Sequence, residues 1–448
     1  MASMGALLEK ILPLAVPLAG LMTVSSSAWA ITEGVLYNFC ANRGTPVCSD
    51  GAGPSAGLFM DSGGNLYGTA ANGGATGNGV AFRLGKPADP ANAWSYLVLH
   101  SFAGAPGDGA TPLAALFGYV DNGLKLYGTT YAGGAKNTGT VFEIDISGVG
   151  LPEGGTLQSV LGGDGANPAA CLSEDARLDY LYGAAINGGL YTKGAVFKVA
   201  EETGKLTPVH HFGGVVKGRR DGANPFAGLV LDYKGNFFGT TNLGGGLVNG
   251  PGVGDGVVYE ITANGDYLVV HEFGGVDSRG VSDGANPQAD LAVDNQRRLY
   301  GTTLNGGAYN HGTVFRLSPP SSANGSWTQT ILHSFEASWD GAGPVAGVIL
   351  DGAGDLYGVA SGGNGGSGVV FKISPPGPSG CDHPTPPDPW CEDILWAFPG
   401  ARNDGMLPRA RLIADGSGNL YGTTFGGGAW GQGVVYLLTG TGFVPAAQ

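Results

Sequence analysis

Between Val35 and Leu438 the chain alternates short apolar runs with clusters of turn residues. β-Branched and aromatic residues fill the runs, and Gly, Asn and Asp fill the corners. The clearest set is Phe226 to Leu231, Asn236 to Thr241, Gly256 to Thr262 and Tyr267 to Phe273, with Asp232-Tyr233-Lys234-Gly235 as the first hairpin turn. Four short strands therefore make one unit.

That unit recurs. A Leu-Tyr-Gly-Thr-Thr phrase places its aromatic at Tyr67, Tyr127, Tyr182, Phe238, Tyr300, Tyr357 and Tyr421. Each phrase is preceded by Asp-Gly-x-x-Pro, starting at Asp50, Asp108, Asp164, Asp221, Asp283, Asp340 and Asp404. Each is followed by a Gly-Gly pair and a strand such as Gly139-Thr140-Val141-Phe142 or Gly312-Thr313-Val314-Phe315. Seven four-stranded units predict an all-β fold, a seven-bladed β-propeller. The repeats fall at about 50–102, 108–161, 164–212, 221–273, 283–335, 340–398 and 404–438. The innermost strand follows Asp-Gly-x-x-Pro, and the outermost is of the Leu99-His100-Ser101-Phe102 and Leu332-His333-Ser334-Phe335 type. The seventh unit has no outer strand after Tyr436, and Val35-Leu36-Tyr37-Asn38-Phe39 supplies the missing one. The ring is thus expected to close by the N-terminal strand docking on the last blade.

The combined set of Asp-Gly-x-x-Pro, Gly-Asn-Leu-Tyr-Gly-Thr-Thr, Gly-Gly and Gly-Thr-Val-Phe resembles the bacterial exported proteins described as choice-of-anchor tandem repeat GloVer-containing proteins. The resemblance covers Val35 to Leu438. It implies secretion, tandem repeats and often a C-terminal sorting or anchoring segment. The last residues, Gly442 to Gln448, depart from that pattern by offering no hydrophobic tail. The strand order also resembles that of NHL-repeat and gluconolactonase-type propellers. No chemistry follows from the family, so function has to be argued from sites.

Composition changes the picture in two ways. Gly (85) and Pro (27) make up a quarter of the 448 residues, a proportion otherwise typical of disordered chains. With 42% hydrophobic and 13% charged residues, the glycines read instead as punctuation of a folded repeat. A net charge of −14 excludes a nucleic-acid partner and disfavours an anionic membrane surface. Ile11 to Val24, interrupted by Pro13 and Pro17, leads to Ala28-Trp29-Ala30, which predicts a signal peptide over 1–30 ahead of a propeller over 31–448. The stretch is too short to be a membrane anchor, so the product is expected to be secreted, extracellular or periplasmic, with no membrane span. Five cysteines suit an oxidising compartment. Disulfides Cys40–Cys48 and Cys381–Cys391 are expected, rather than a metal site of Cys381, His383 and Cys391, which lacks a fourth ligand. Cys171 is left over as a small buried hydrophobe.

The Asp-Gly-x-x-Pro and Gly-Gly loops should share one face. The seven aspartates would either ring that mouth as a carboxylate site or cap their own turns, and seven copies favour the turn. His100, His211, His271 and His333 read as packing residues of the outer strands. A single ligand breaks sevenfold symmetry, so departures from the repeat carry more information. The third residue after the loop proline is Gly57, Ala115, Cys171, Gly228, Asp290, Gly347 and Arg411. Asp290 and Arg411 stand out, with Arg409 and Gln288 beside them, either as a channel salt bridge or as a site for a carboxylate or other polar ligand. His311 and Tyr309 in the fifth Gly-Gly loop and Trp430 in the last are further ligand-binding candidates, and Tyr131 and Tyr191 lie in equivalent loops. No catalytic set is recognisable, and no cofactor or metal is expected. The sequence predicts a binding or scaffold module for extracellular polysaccharide or another surface polymer. The alternatives are a polysaccharide lyase or glycoside hydrolase and a purely structural repeat.

Overall fold

Seven four- or five-stranded antiparallel sheets, one for each repeat, make up the blades, and three two-stranded sheets lie in their loops among the described residues. The computed structural model describes residues 30–446 apart from 45–47, 121–123, 147–152, 161, 176–178, 217, 247–253, 278, 323–324, 378–380, 382–389 and 401–403. Residues 1–29 of the expected signal peptide and His383 lie outside the described residues. Blades are numbered here in chain order. In blade 4 the strands are Val230–Leu231, Phe237–Thr241, Val257–Ile261 and Tyr267–Glu272, in that spatial order. The seventh blade runs from Gly405–Pro408 and Ile413–Ala414 through Leu420–Gly427 and Val434–Thr439 to Thr32–Asn38. Thr32 faces Thr439 and Asn38 faces Val434. The chain is an all-β, seven-bladed propeller whose ring is closed by its N-terminal strand.

Inner strands are shorter than the hydrophobic pattern predicts. Their carbonyls turn toward the neighbouring blade instead of a ladder. The first Thr of Gly-Thr-Thr donates to the inner segment of the next blade: Thr69 to Ala114 O, Thr129 to Ala170 O, Thr240 to Ala289 O, Thr302 to Ala346 O and Thr423 to Ala56 O. The repeated threonine thus joins blades as well as filling a strand.

Apolar burial lies between blades, in seven clusters. Between blades 7 and 1, for example, Phe39, Tyr421 and Val435 pack on Leu58, Leu66 and Phe82. The aromatic of each third strand (Phe82, Phe142, Phe197, Tyr259, Phe315, Phe371 and Tyr436) is fully buried or nearly so. Each lies against the glycine of the Tyr-Gly step. A Cβ on Gly128 would stand 2.4 Å from the Phe142 ring, and one on Gly301 2.7 Å from both Phe315 and Leu291. Glycine recurs there because the ring occupies the space a side chain would need.

The Asp-Gly-x-x-Pro loop is a second fixed device. The residue before each proline, from Gly53 through Thr111, Asn167, Asn224, Asn286 and Gly343 to Leu407, is left-handed, with φ between 56° and 63°. Its N–H reaches the preceding blade, as in Thr111 to Asn78 O (2.8 Å), Asn224 to Lys193 O (2.7 Å) and Leu407 to Ser367 O (2.9 Å). The loop also pairs with the Gly-Gly loop of its own blade: Gly109–Ala110 with Ala132–Gly133, and Ser282–Ala285 with Asn305–Gly307. The two loop types therefore share one face, as expected.

Candidate functional site

Six of the seven loop aspartates meet the outer strand of the preceding blade instead of ringing the mouth. Asp108 turns outward and accepts from His100 Nε2 (2.9 Å), Ala103 N (2.8 Å) and Gly109 N (2.7 Å). Asp221 accepts from His210 Nε2 and Gly213 N, and Asp50 from Tyr37 Oη, Ala41 N and Asn42 N. Each such carboxylate fastens the outer strand of one blade to the start of the next, which is the structural role expected of a group present seven times. Burial alone would raise the Asp108 carboxyl, but the bonds from His100, Ala103 and Gly109 outweigh it and hold it below its ordinary value. The histidine in this role is His210, not His211. It stands two residues before Phe212, as His100 does before Phe102, whereas His211 Nδ1 accepts from Leu190 N.

The channel wall is built by the three residues after each loop proline. The middle one is always Ala, buried between blades. The outer two face a central cavity of about 960 Å³. The first ring comprises Ser55, Leu113, Ala169, Phe226, Gln288, Val345 and Arg409; the second includes Gly57, Ala115, Cys171, Asp290, Gly347 and Arg411. Arg409, Asp290 and Arg411 thus meet in one cavity. Cys171 belongs to this wall rather than to a core strand, because the alternation that buries Ala170 and Leu172 turns it inward. Burial and the Asp290 charge push its thiol up to about 12 against the opposing effect of Arg411, so it is not a thiolate nucleophile at neutral pH.

Asp290 and Arg411 do not form an ion pair among the described residues. They stand on blades 5 and 7, with Gly347 of blade 6 between them in the ring. Asp290 Oδ1 accepts instead from Gly228 N at 2.5 Å, across the junction with blade 4. Arg411 Nε is buried without a hydrogen-bond partner. Arg409 lies over the Phe425 ring, 4.8 Å from its centroid, and Phe425 also lines the cavity. The remaining lining carboxylate, Asp415, is occupied by Ser417 N, Asn419 N and Nδ2, and Tyr421 Oη. The cavity therefore lacks a pair of available carboxylates for acid–base glycoside cleavage among its described residues.

His311 lines a neighbouring cavity of about 610 Å³, together with Asn310, Ser361, Gln288 and Arg409. Gln288 and Arg409 border both spaces, so His311 converges on the same mouth. Tyr309 and Trp430 do not line either cavity. They are 42% and 45% exposed, and Trp430 carries the Arg43 guanidinium 5.2 Å from its ring centroid. Of the other loop aromatics, Tyr131 lines the central cavity, whereas Tyr191 is half exposed. Phe226, Phe425 and the tail residues Phe443, Pro445 and Ala446 also contribute to the wall. Sequence reading missed all of these; comparison of equivalent repeat positions is the signal that would find Phe226 and Phe425, whereas the tail belongs to no repeat. Disulfides Cys40–Cys48 and Cys381–Cys391 are formed, as expected, and fit an oxidising, extracellular environment. No helix among the described residues is long and apolar enough to cross a membrane.

A sevenfold ring with a few unlike residues in its channel defines the class: a tandem-repeat β-propeller. The chain belongs to the Gloeobacter/Verrucomicrobia repeat family, whose model matches residues 89–282 and 248–381, more than half of the sequence. None of the curated proteins matches it. Similar solved structures include a protein of unknown function from Bacteroides thetaiotaomicron (13% identity over 91% of this chain and 76% of that one, TM-score 0.44). Others are a proposed 6-phosphogluconolactonase from Bacteroides uniformis (14%, 76% and 88%, 0.43) and a proposed gluconolactonase (12%, 69% and 86%, 0.37). These likenesses carry no functional argument.

Proposed function

We propose that the protein is an exported binding module that holds an acidic, hydroxyl-rich ligand, a uronate-bearing saccharide of an extracellular polymer, in the mouth of its channel. The observation that carries this reading is Arg411, whose buried Nε has no hydrogen-bond partner. A buried guanidinium Nε without a partner is costly unless a ligand completes it. Arg409 adds a second cation, Gln288 and Asp290 offer groups for hydroxyls, and Tyr131, Phe226 and Phe425 offer apolar faces for a sugar ring. The two disulfides support export.

Arg411→Ala tests the site. Small residues already occupy this ring position at Gly57 and Ala115, so the variant should fold. Calorimetric titration with uronate-bearing and neutral oligosaccharides should give binding of the former by the wild type and at least about a tenfold loss in the variant, as for a charge-assisted bond. Equal affinity in wild type and variant, or no binding across the panel, would sink the proposal. Product release without loss of binding would move the reading to an enzyme.

A further inference from the structure

At six of the seven junctions between blades, the aromatic or histidine two residues before the closing Phe meets the loop aspartate of the next blade. At four of them a third side chain comes from the outer strand of that next blade, six residues before its own closing Phe. Tyr96 stacks on Tyr37 with ring centroids 4.0 Å apart, and Tyr267 stacks on His210 at 3.8 Å. Gln329, over His271 and Asp283, donates to Asp283 O at 2.7 Å. Between blades 5 and 6 the third residue is Glu392, on the strand Cys391–Ala397.

This substitution changes the chemistry of the junction. His333 Nε2 stands 3.5 Å from Asp340 Oδ2 and 3.4 Å from Glu392 Oε2, and all three side chains are without solvent exposure. Their ligand-type atoms lie within 4.8 Å of one another. The corresponding His–Asp contacts elsewhere are hydrogen bonds of 2.9 Å at His100 and 3.0 Å at His210, with a looser contact of 3.3 Å at His271. Around His333 the spacing is wider, and neither ring nitrogen nor Asp340 Oδ1 has a hydrogen-bond partner. Atoms bound at about 2.0–2.2 Å to one tetrahedral ion are separated by roughly 3.3–3.6 Å, the spacing found for both contacts of His333.

We propose that His333, Asp340 and Glu392 bind one Zn²⁺ ion, the second oxygen of the Asp340 carboxylate completing the four donors, and that the ion pins the outer strand of blade 6 to blade 5. One imidazole and two carboxylates, with no thiolate, form a donor set that suits this ion. The site is separate from the channel and does not depend on the proposed saccharide. It revises the expectation of a metal-free chain.

The full chain, loaded with excess ZnCl₂ and dialysed, should retain about one Zn²⁺ by elemental analysis, and its melting temperature should rise with Zn²⁺. Glu392→Gln recreates the His–Asp–Gln arrangement of the preceding junction and is therefore expected to fold. It should weaken Zn²⁺ binding by at least about 100-fold, more than the loss of a second-shell partner, and abolish the thermal response. X-ray absorption at the zinc edge of the wild type should give nitrogen and oxygen neighbours without sulfur, a readout that holds if the variant does not fold. Absence of stoichiometric Zn²⁺, undiminished binding in Glu392→Gln, or a sulfur shell would each overturn the site.

Discussion

Single atoms decide much at the residue scale. The glycine of each Tyr-Gly step yields its side-chain volume to a buried ring, so its replacement should cost more than backbone entropy alone. Gly301→Ala would force a Cβ to within 2.7 Å of Leu291 and Phe315, both fully buried. A loss of about 1–3 kcal/mol is expected from overpacking, read from urea unfolding. Gly34→Ala, at a position with no atom within 4 Å, is the matched control and should stay within about 0.5 kcal/mol. Equal effects would contradict the packing argument. The same scale explains why Asp290 and Arg411 were visible in the sequence. A charge among glycines and alanines at one repeat position is a conspicuous exception. Glu392 escaped notice because its equivalents, Tyr96, Tyr267 and Gln329, are themselves varied, so no rule was broken. The junction where it matters brings together residues from two blades.

At the scale of elements, the N-terminal strand carries an acid switch of modest size. Glu33 lies in Thr32–Asn38 at the position equivalent to Glu392. Burial, with the Asp404 carboxylate adding, pushes it from the ordinary 4.5 to about 7. Between those pH values the folded chain holds a proton that the unfolded chain has released, so stability falls as pH rises through the window and is fullest below it. Glu33→Gln should flatten this dependence and leave the variant more stable than wild type at pH 8. The urea midpoint measured from pH 4 to pH 8 checks it, and an unchanged slope would reject it. Elements were also where sequence reading succeeded best. Turn chemistry is local: Asp232 caps its hairpin through Lys234 N and Asn236 N, and the same pattern recurs at Asp61, Asp351 and Asp415. The shift from His211 to His210 shows the limit. One residue of register cannot be settled by a pair of adjacent histidines, and the contact with Asp221 settles it.

For the whole molecule, stability rests on closure. Seven interfaces are equivalent in kind, but the seventh joins the two ends of the described chain, and Phe39 is buried in it. Removing residues 31–39 should expose that cluster and an edge of Val434–Thr439 and replace one cooperative transition by broad or multiple ones in calorimetry. Unchanged melting would show that the strand is dispensable.

The partners Thr32 and Thr439 are 407 residues apart. Joining them carries a loop-closure cost of about 5 kcal/mol by chain statistics, and no contact within a subset of blades offsets it early. The strand synthesised first is therefore the one that must wait longest for its neighbour. Until the final strand emerges, blade 1 presents an unfinished flank, and the order of synthesis itself keeps the ring open.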